Sequence, residues 1–229
     1  MQLKILSWNI WIEGKFEEYK TLIERVDPDI IGLQEVKDTD PERDVIGYLS
    51  SRGYHHIFLP ARKKWGDNTF NDGPALFSKL PILSSETYLL SKENARGAVR
   101  IDLQVGEKVL RVFSVHTLHT HQEHSDVQME QIENLLSALP AENTLVMGDF
   151  NATPDSEAIR CMKSVLVDSD PDSLPTWSVY PDGCKTCNPQ VVDTKLDYIF
   201  TTKDIKTHSF KVEESKGSDH LPISVIAEL

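Results

Sequence analysis

Residues 146–155 read VMGDFNATPD, and this stretch decides the fold. An apolar run, Leu145-Val146-Met147, stops at Gly148 and hands Asp149 and Asn151 to a loop, which is how a strand buried on both faces delivers polar groups to a site. Thr153-Pro154-Asp155 then reads as the start of a helix. Asp149 and Asn151 are two positions apart, so on an extended segment they point the same way. A carboxylate takes a proton or a cation, whereas a carboxamide donates to an anion and accepts from a water. Alone, these residues serve equally well as a turn or a cap. The site reading gains weight because other short polar clusters end apolar runs elsewhere in the chain.

Immediately upstream, residues 125–139 carry Val127, Met129, Ile132, Leu135, Leu136 and Leu139 at helical spacing, and Pro140 ends the run. Before that helix, RVFSVH reads as a strand closing on His116, which is taken as facing the site. His119, His121 and His124 follow in HTLHTHQEH; their spacing fits no helical zinc motif, and they are read as loop residues. Residues 82–89, 98–105 and 109–116 form a meander with a hairpin turn at Gly106-Glu107. Between two of its strands lies Asn94-Ala95-Arg96-Gly97, where Arg96 is placed to clamp a phosphate or simply to lie at the surface. Asn71-Asp72-Gly73-Pro74 and Arg62-Lys63-Lys64-Trp65 are both read as turns.

At the amino end, LKILSWNI has a strand rhythm that carries Asn9 to a sheet edge, as a ligand, a phosphate contact or a cap. Residues 16–26 form a helix ended by Asp27-Pro28. The next apolar run, DIIGLQEV, ends in Gln34-Glu35. A Glu at the end of a buried strand is unfavourable unless it is paired or binds a cation, so Glu35 is the first residue assigned to a metal. Downstream, residues 168–193 are turn-rich around Trp177. Asp197 then begins the strand DYIF, and Gly217-Ser218-Asp219-His220 precedes a final strand over 223–229. Adjacent on the chain, Asp219 and His220 must be splayed by their loop into separate roles.

A chain of 229 residues, 39% of them hydrophobic, can bury a large core. No linker, repeat or low-complexity tract interrupts it, so one domain over 1–229 is expected. The formal net charge of -12 repels polyanions and argues against sequence-blind binding to duplex nucleic acid. Phosphate chemistry stays open if metal ions supply positive charge locally. With no membrane-length apolar run, the expectation is a soluble, cytoplasmic monomer that does not insert in membranes. Three cysteines fit a reducing compartment better than a disulfide framework. Cys184-Lys185-Thr186-Cys187 could bind zinc or form a local disulfide, but it is a poor zinc site as read, because Cys161 and a stray His do not complete four ligands.

Taken together, SWNIW (Asn9), LQEV (Glu35), RG (Arg96), SVH (His116), GDFNATPDS (Asp149, Asn151), KLDYIF (Asp197) and GSDHLPI (Asp219, His220) resemble the endonuclease/exonuclease/phosphatase superfamily of metal-dependent phosphoesterases. The resemblance covers nearly the whole chain. It implies a four-layered α/β sandwich: two mostly antiparallel sheets packed face to face, helices outside, and the site at one edge. It also implies in-line attack of water on a phosphoester. In that scheme Asn9, Glu35 and Asp219 hold a divalent cation, Mg²⁺ or Mn²⁺ by the hardness of the oxygen donors. Asp149 is the base, with Asn151 holding the water or a phosphate oxygen. His220, fixed by Asp197, contacts the phosphate, and His116 stabilises the transition state or protonates the leaving group; exchanging the base between Asp149 and His220 stays open. One departure is Trp11, which stands where some nucleases of the family carry an acid. It either packs under the site or offers a ring face to substrate. The expected substrate is a phosphodiester, with short or single-stranded nucleic acid first. A small-molecule or lipid phosphoester and a catalytically silent binding module are the alternatives.

Overall fold

The residues of QLKILSWN alternate between two apolar environments, and this alternation sets the layering of the whole molecule. The structure, a computed structural model, describes residues 1–65, 68–92, 96–180 and 184–229. In strand β1 (Gln2–Asn9), Leu3 and Ile5 face one buried cluster while Leu6 and Trp8 face another. Each strand of a sheet covered on both sides must be apolar on both faces. The first cluster lies between two sheets; the second packs β1 under helices α1 (Phe16–Val26) and α2 (Val45–Ser51). Tyr19, Leu22, Ile23 and Val26 form the buried stripe of α1, at i, i+3, i+4, i+7 spacing. Its end is a left-handed Asp27, whose N–H bonds Ile23 O at 2.8 Å before Pro28 stops the helix.

The first sheet also contains β2 (Ile30–Lys37), β3 (His55–Phe58), β4 (Ala61–Trp65), β5 (Asn68–Ser78), and the late strands β12 (Lys206–Val212) and β13 (Ile223–Glu228). Its order is β12-β13-β1-β2-β5-β3, with β4 on β5. The second sheet holds β6 (Ile82–Leu89), β7 (Gly97–Val105), β8 (Lys108–His116), β9 (Thr144–Asp149), β10 (Val167–Asp168) and β11 (Asp197–Thr201), in the order β10-β11-β9-β8-β7-β6. Helices α3 (Asp126–Ala138) and α4 (Glu157–Val165) cover its outer face through Ile132, Leu135, Ile159 and Met162. The result is the four-layered sandwich. Among the described pairings each sheet is antiparallel except for one pair, β1 with β2 and β8 with β9.

Those two parallel pairs position the site. Parallel strands end at the same edge, and a crossover helix must return the chain between them. Here α1 and α3 do so, and the last residues of β1, β2, β8 and β9 meet at one rim of the sandwich. The two sheets approach closely at Gly32 of β2, where an added Cβ would lie 2.8 Å from Met147 Sδ of β9. Just above, Gln34 Nε2 donates to Ser114 Oγ at 3.1 Å, stitching the sheets with a buried hydrogen bond.

Gly148 has φ +150°, and a Cβ there would lie 2.0 Å from Val115 O on the neighbouring strand. Both a strained backbone and an unavoidable clash follow for any larger residue. Gly148→Ala is therefore expected to lower stability by about 3 kcal/mol. Urea unfolding measures this, and a loss under about 1 kcal/mol would contradict the close approach.

Two readings of the sequence are corrected. The 62–65 run is strand β4 rather than a turn, and Asn71-Asp72-Gly73-Pro74 lies inside β5, where Asp72 and Gly73 pair with Ala61 and Val36. Turn-forming residues are overridden there because β5 is held by three neighbours, β2, β3 and β4. Strand β12, with one partner and an exposed, polar pattern, has no apolar rhythm to announce it. Asn94 and Ala95, assigned above to an inter-strand loop, lie outside the described residues. Among the described residues no helix is long and apolar enough to cross a membrane.

Candidate active site

Strand parity aims the site residues. Asn9 shares the inner face of β1 with Leu3 and Ile5, His116 that of β8 with Leu110 and Val112, Asp149 that of β9 with Leu145 and Met147, and Asp197 that of β11 with Ile199. Where each strand runs out past the core, the same face continues as polar side chains. Register places Asp197 directly opposite Asp149, and His116 opposite Asp149 on the other side.

Glu35 arrives differently. The pairing of β2 with β5 slips between Leu33 and Val36, and Glu35 adopts a left-handed φ of +61°. A bulge of this kind re-aims one side chain while returning the next to its face, so Val36 stays in the outer core and Glu35 turns to the cleft. Its Oε2 accepts from Ile12 N–H at 3.0 Å and its Oε1 from Asn9 Nδ2 at 3.4 Å.

Asp149 is the hub. Its Oδ1 accepts from Asn151 N–H at 2.8 Å; its Oδ2 accepts from Asn9 Nδ2 at 2.9 Å and Asn151 Nδ2 at 3.1 Å. His116 Nε2 lies 3.4 Å and His220 Nε2 3.7 Å from the same Oδ2. Asn151 does converge on Asp149, but through a left-handed turn at φ +48° rather than along an extended strand. Gln128 of α3 holds that turn by donating to the carbonyls of Leu118, Phe150 and Asn151.

Behind the cleft, Asp197 Oδ2 accepts from Thr176 Oγ1 at 2.6 Å and contacts His220 Nδ1 at 2.9 Å. The carboxylate makes Nδ1 the protonated nitrogen and turns Nε2 toward Asp149. The loop carrying His220 is pinned by Trp8 Nε1, which donates to His220 O, and by Ser218 Oγ, which donates to Asn9 O. Asp219 bends into the same cleft, accepting from Trp177 Nε1 at 3.4 Å and Ser218 Oγ at 3.2 Å. Asp219 and His220 thus have separate hydrogen-bond partners. Arg96 Nη1 stands 2.5 and 2.8 Å from the two ring nitrogens of His116.

Burial lifts the Asp149 carboxyl to about 7, against the pull of His220. Burial alone would lower the His220 imidazole, but the charges of Asp197, Asp149 and Asp219 outweigh it and hold the ring well above its ordinary value. Burial also raises Asp219, opposed by His220 and reinforced by the charge of Glu35. These effects describe an acid-rich pocket that stabilises positive charge.

Asn9, Glu35, Arg96, His116, Asp149, Asn151, Asp219 and His220 all line one cleft of about 260 Å³, with Trp11, Ile12, His119, Trp177 and Cys184 completing its wall. Asp197 alone among the candidates lies behind it. Asp149, Asp197 and His220 also bring ligand-type atoms within 4.8 Å of one another, a grouping able to hold a metal ion.

The model of the Endonuclease/Exonuclease/phosphatase family matches residues 6–220. The chain belongs to this family. The family's chemistry is phosphoester hydrolysis, typically dependent on a divalent metal. No curated protein matches the sequence. Among solved structures, a family member from Beutenbergia cavernae shares 20% identity at a TM-score of 0.80, over 100% of this chain and 72% of that one. The human Nocturnin catalytic domain with bound sulfate shares 23% identity at 0.72, over 99% and 93%. ANGEL2, a 2',3'-cyclic phosphatase in complex with adenosine-2',3'-vanadate, shares 17% at 0.75, over 99% and 95%.

Sequence reasoning missed one grouping beside the cleft. His119 and His121, read as loop residues, meet Cys184 and Cys187, dismissed as an incomplete pair, with ligand-type atoms of all four within 4.8 Å of one another. The signal was present as H-x-H and C-x-x-C, but nothing local announces that segments 65 residues apart will touch.

Proposed function

We propose that the chain is a Mg²⁺- or Mn²⁺-dependent phosphodiesterase acting on nucleotide phosphodiesters, short or single-stranded nucleic acid first, by in-line attack of water. The observation that carries this reading is the meeting of Glu35, Asp219, Asp149 and His220 in one cleft. The donor set fits a divalent cation. Two carboxylates, Glu35 and Asp219, repel each other across a half-buried space, an arrangement that a cation relieves, and hard oxygens select Mg²⁺ or Mn²⁺ over zinc. Glu35, Asp219 and Asn9 would hold it. Asn9 already steers both Glu35 and Asp149 through its amide, and its Oδ1, which accepts from Trp11 N–H at 3.0 Å, keeps a second lone pair. When bound, such an ion offsets charge on the phosphoryl oxygens and stabilises the leaving oxygen.

The protein's own groups do the rest. Asp149 is the base: its oxygens are oriented by three N–H donors, and burial brings its basicity close to neutrality. His220, charged through Asp197, donates from Nε2 to a phosphoryl oxygen. This division favours Asp149 over His220 as base, because the charged ring has no free lone pair. Asn151 has both N–H donors engaged, with Thr117 O and Asp149 Oδ2, so it orients Asp149 and offers a water only its amide oxygen. Arg96 and His116 stand together to neutralise the developing charge or protonate the leaving oxygen.

Two features support a nucleotide substrate. Trp11 lies on the cleft wall, its ring 5.5 Å from that of Tyr180, and Lys15 Nζ sits 5.4 Å over Tyr180; a base can stack there. A chain of net charge -12 disfavours a duplex, whose binding needs a basic face. ANGEL2, which shares the fold, is a phosphatase of 2',3'-cyclic phosphates. The small cleft volume favours a second reading, a small-molecule phosphodiesterase.

Incubation with Mg²⁺ or Mn²⁺ and a panel of bis-p-nitrophenyl phosphate, single- and double-stranded DNA, and a phosphocholine lipid tests the proposal. Expected are turnover of the chromogenic diester, preference for single strands, and loss of both with EDTA. Inactivity on every substrate together with no thermal shift from metal would point instead to a silent binding module.

A further inference from the structure

The four side chains beside the cleft have the chemistry and spacing of a zinc site. In a tetrahedron with Zn–S of about 2.3 Å and Zn–N of about 2.0–2.1 Å, neighbouring sulfur and nitrogen atoms lie about 3.6 Å apart. The four observed separations bracket that value: His121 Nδ1 to Cys187 Sγ 3.1 Å and to Cys184 Sγ 3.6 Å, His119 Nε2 to Cys187 Sγ 3.3 Å and to Cys184 Sγ 3.9 Å. The imidazoles meet edge to face, centroids 4.7 Å apart at 85°, so their ring nitrogens converge on the thiols instead of stacking. Cys187 N–H donates to Cys184 Sγ at 3.1 Å, a bond that stabilises a thiolate in a C-x-x-C turn.

The tautomer of His119 follows from its other partner. Asn151 Nδ2 donates to Thr117 O and Asp149 Oδ2, so the oxygen of this amide is the atom that faces His119 Nδ1, at 2.6 Å. His119 Nδ1 must therefore carry the proton, leaving the Nε2 lone pair directed at the two sulfurs. A ligating histidine held by a hydrogen bond through its second nitrogen is the usual arrangement around bound zinc.

We propose that His119, His121, Cys184 and Cys187 bind one structural zinc ion, and that this ion positions the catalytic Asn151 through His119. Two thiolates, two neutral imidazoles and Zn²⁺ sum to zero charge, so the site adds no repulsion toward a phosphate. Four protein ligands leave no open position, which assigns the ion to structure rather than to water activation. Binding releases the two thiol protons to solvent. The positioning role rests on the catalytic reading above, whereas zinc binding does not.

The test uses tag-free full-length protein, purified under reducing conditions and kept in Mg²⁺. Elemental analysis is expected to find about one zinc per chain. Removal with a zinc-selective chelator should lower Tm by about 5 °C or more, and added Zn²⁺ should restore it. Cobalt substitution should give a sulfur-to-cobalt charge-transfer band that Cys187→Ser loses. No zinc, and none taken up by the reduced protein, overturns the site; so does a Cys184–Cys187 disulfide in the isolated protein, or undiminished zinc in Cys187→Ser. These readouts involve no substrate, so they stand whether or not the hydrolase reading does. For positioning, His121→Ala is the informative variant, because His121 is not hydrogen-bonded to Asn151. It should shed zinc and lower kcat on bis-p-nitrophenyl phosphate by about 10-fold, with KM little changed. A zinc-free His121→Ala with wild-type kcat overturns the positioning role.

Discussion

Asp149→Asn is expected to lower kcat by roughly 10²-fold or more, the usual contribution of a general base. Asn is almost the same size, so packing around residue 149 is preserved and the effect isolates chemistry. Its amide oxygen can still accept from Asn151 N–H, now 2.8 Å from Oδ1. Its amino group, however, faces the amino groups of Asn9 and Asn151, which at present donate to Oδ2 at 2.9 and 3.1 Å. Both N–H groups lose that acceptor, a penalty of about 1–3 kcal/mol each. Loss of the buried charge works the other way, because burial disfavours the Asp149 carboxylate in the first place. The two effects on stability oppose each other, so the rate is read on protein shown to be folded. Initial rates on bis-p-nitrophenyl phosphate, with Tm measured alongside, separate rate from stability. Wild-type kcat in a folded Asp149→Asn protein would remove Asp149 from the role of base and leave His220 as the candidate.

The ease of reading this site follows from periodicity. Asn9, His116 and Asp149 each end an apolar strand, and alternation by two then dictates that they share the face of the core residues before them. Helix α1 was legible over its full length because its stripe is continuous and Asp27-Pro28 closes it. Glu35 was legible as a residue that needs a partner, but not as the tip of a bulge, since the slip against β5 is a property of the pairing and not of β2 alone. Likewise Asn71-Asp72-Gly73-Pro74 looks like a turn in isolation and is a strand only because neighbours on both sides claim it. The His119, His121, Cys184 and Cys187 cluster marks the limit of local reading. Each half is a two-ligand fragment, and only the docking of the turn-rich segment against the loop after β8 makes four.

Glu35→Gln is expected to reduce kcat/KM at low Mg²⁺ by roughly 10²–10³-fold, because a metal's electrostatic help amounts to several kcal/mol and each 1.36 kcal/mol is tenfold. The substitution keeps the length of the side chain. Its oxygen can still accept from Ile12 N–H, which now bonds Oε2 at 3.0 Å, while the amino group replaces Oε1, whose contact with Asn9 is only 3.4 Å. The hydrogen-bonded frame thus survives, and the charge does not. Two opposite effects then distinguish a metal ligand from a structural acid. Without metal, removing the negative charge relieves the repulsion that helps raise Asp219, so the variant should be no less stable than the parent. With Mg²⁺, the parent should gain in Tm and the variant should not, because the cation no longer finds two facing carboxylates. Raising Mg²⁺, or substituting Mn²⁺, should recover part of the lost rate. If Glu35 were merely one partner of a structural ion pair, the order would invert: the variant would melt earlier in metal-free buffer and keep the parent's Mg²⁺ dependence. A Mg²⁺ titration of rate and of Tm on both proteins decides between these outcomes.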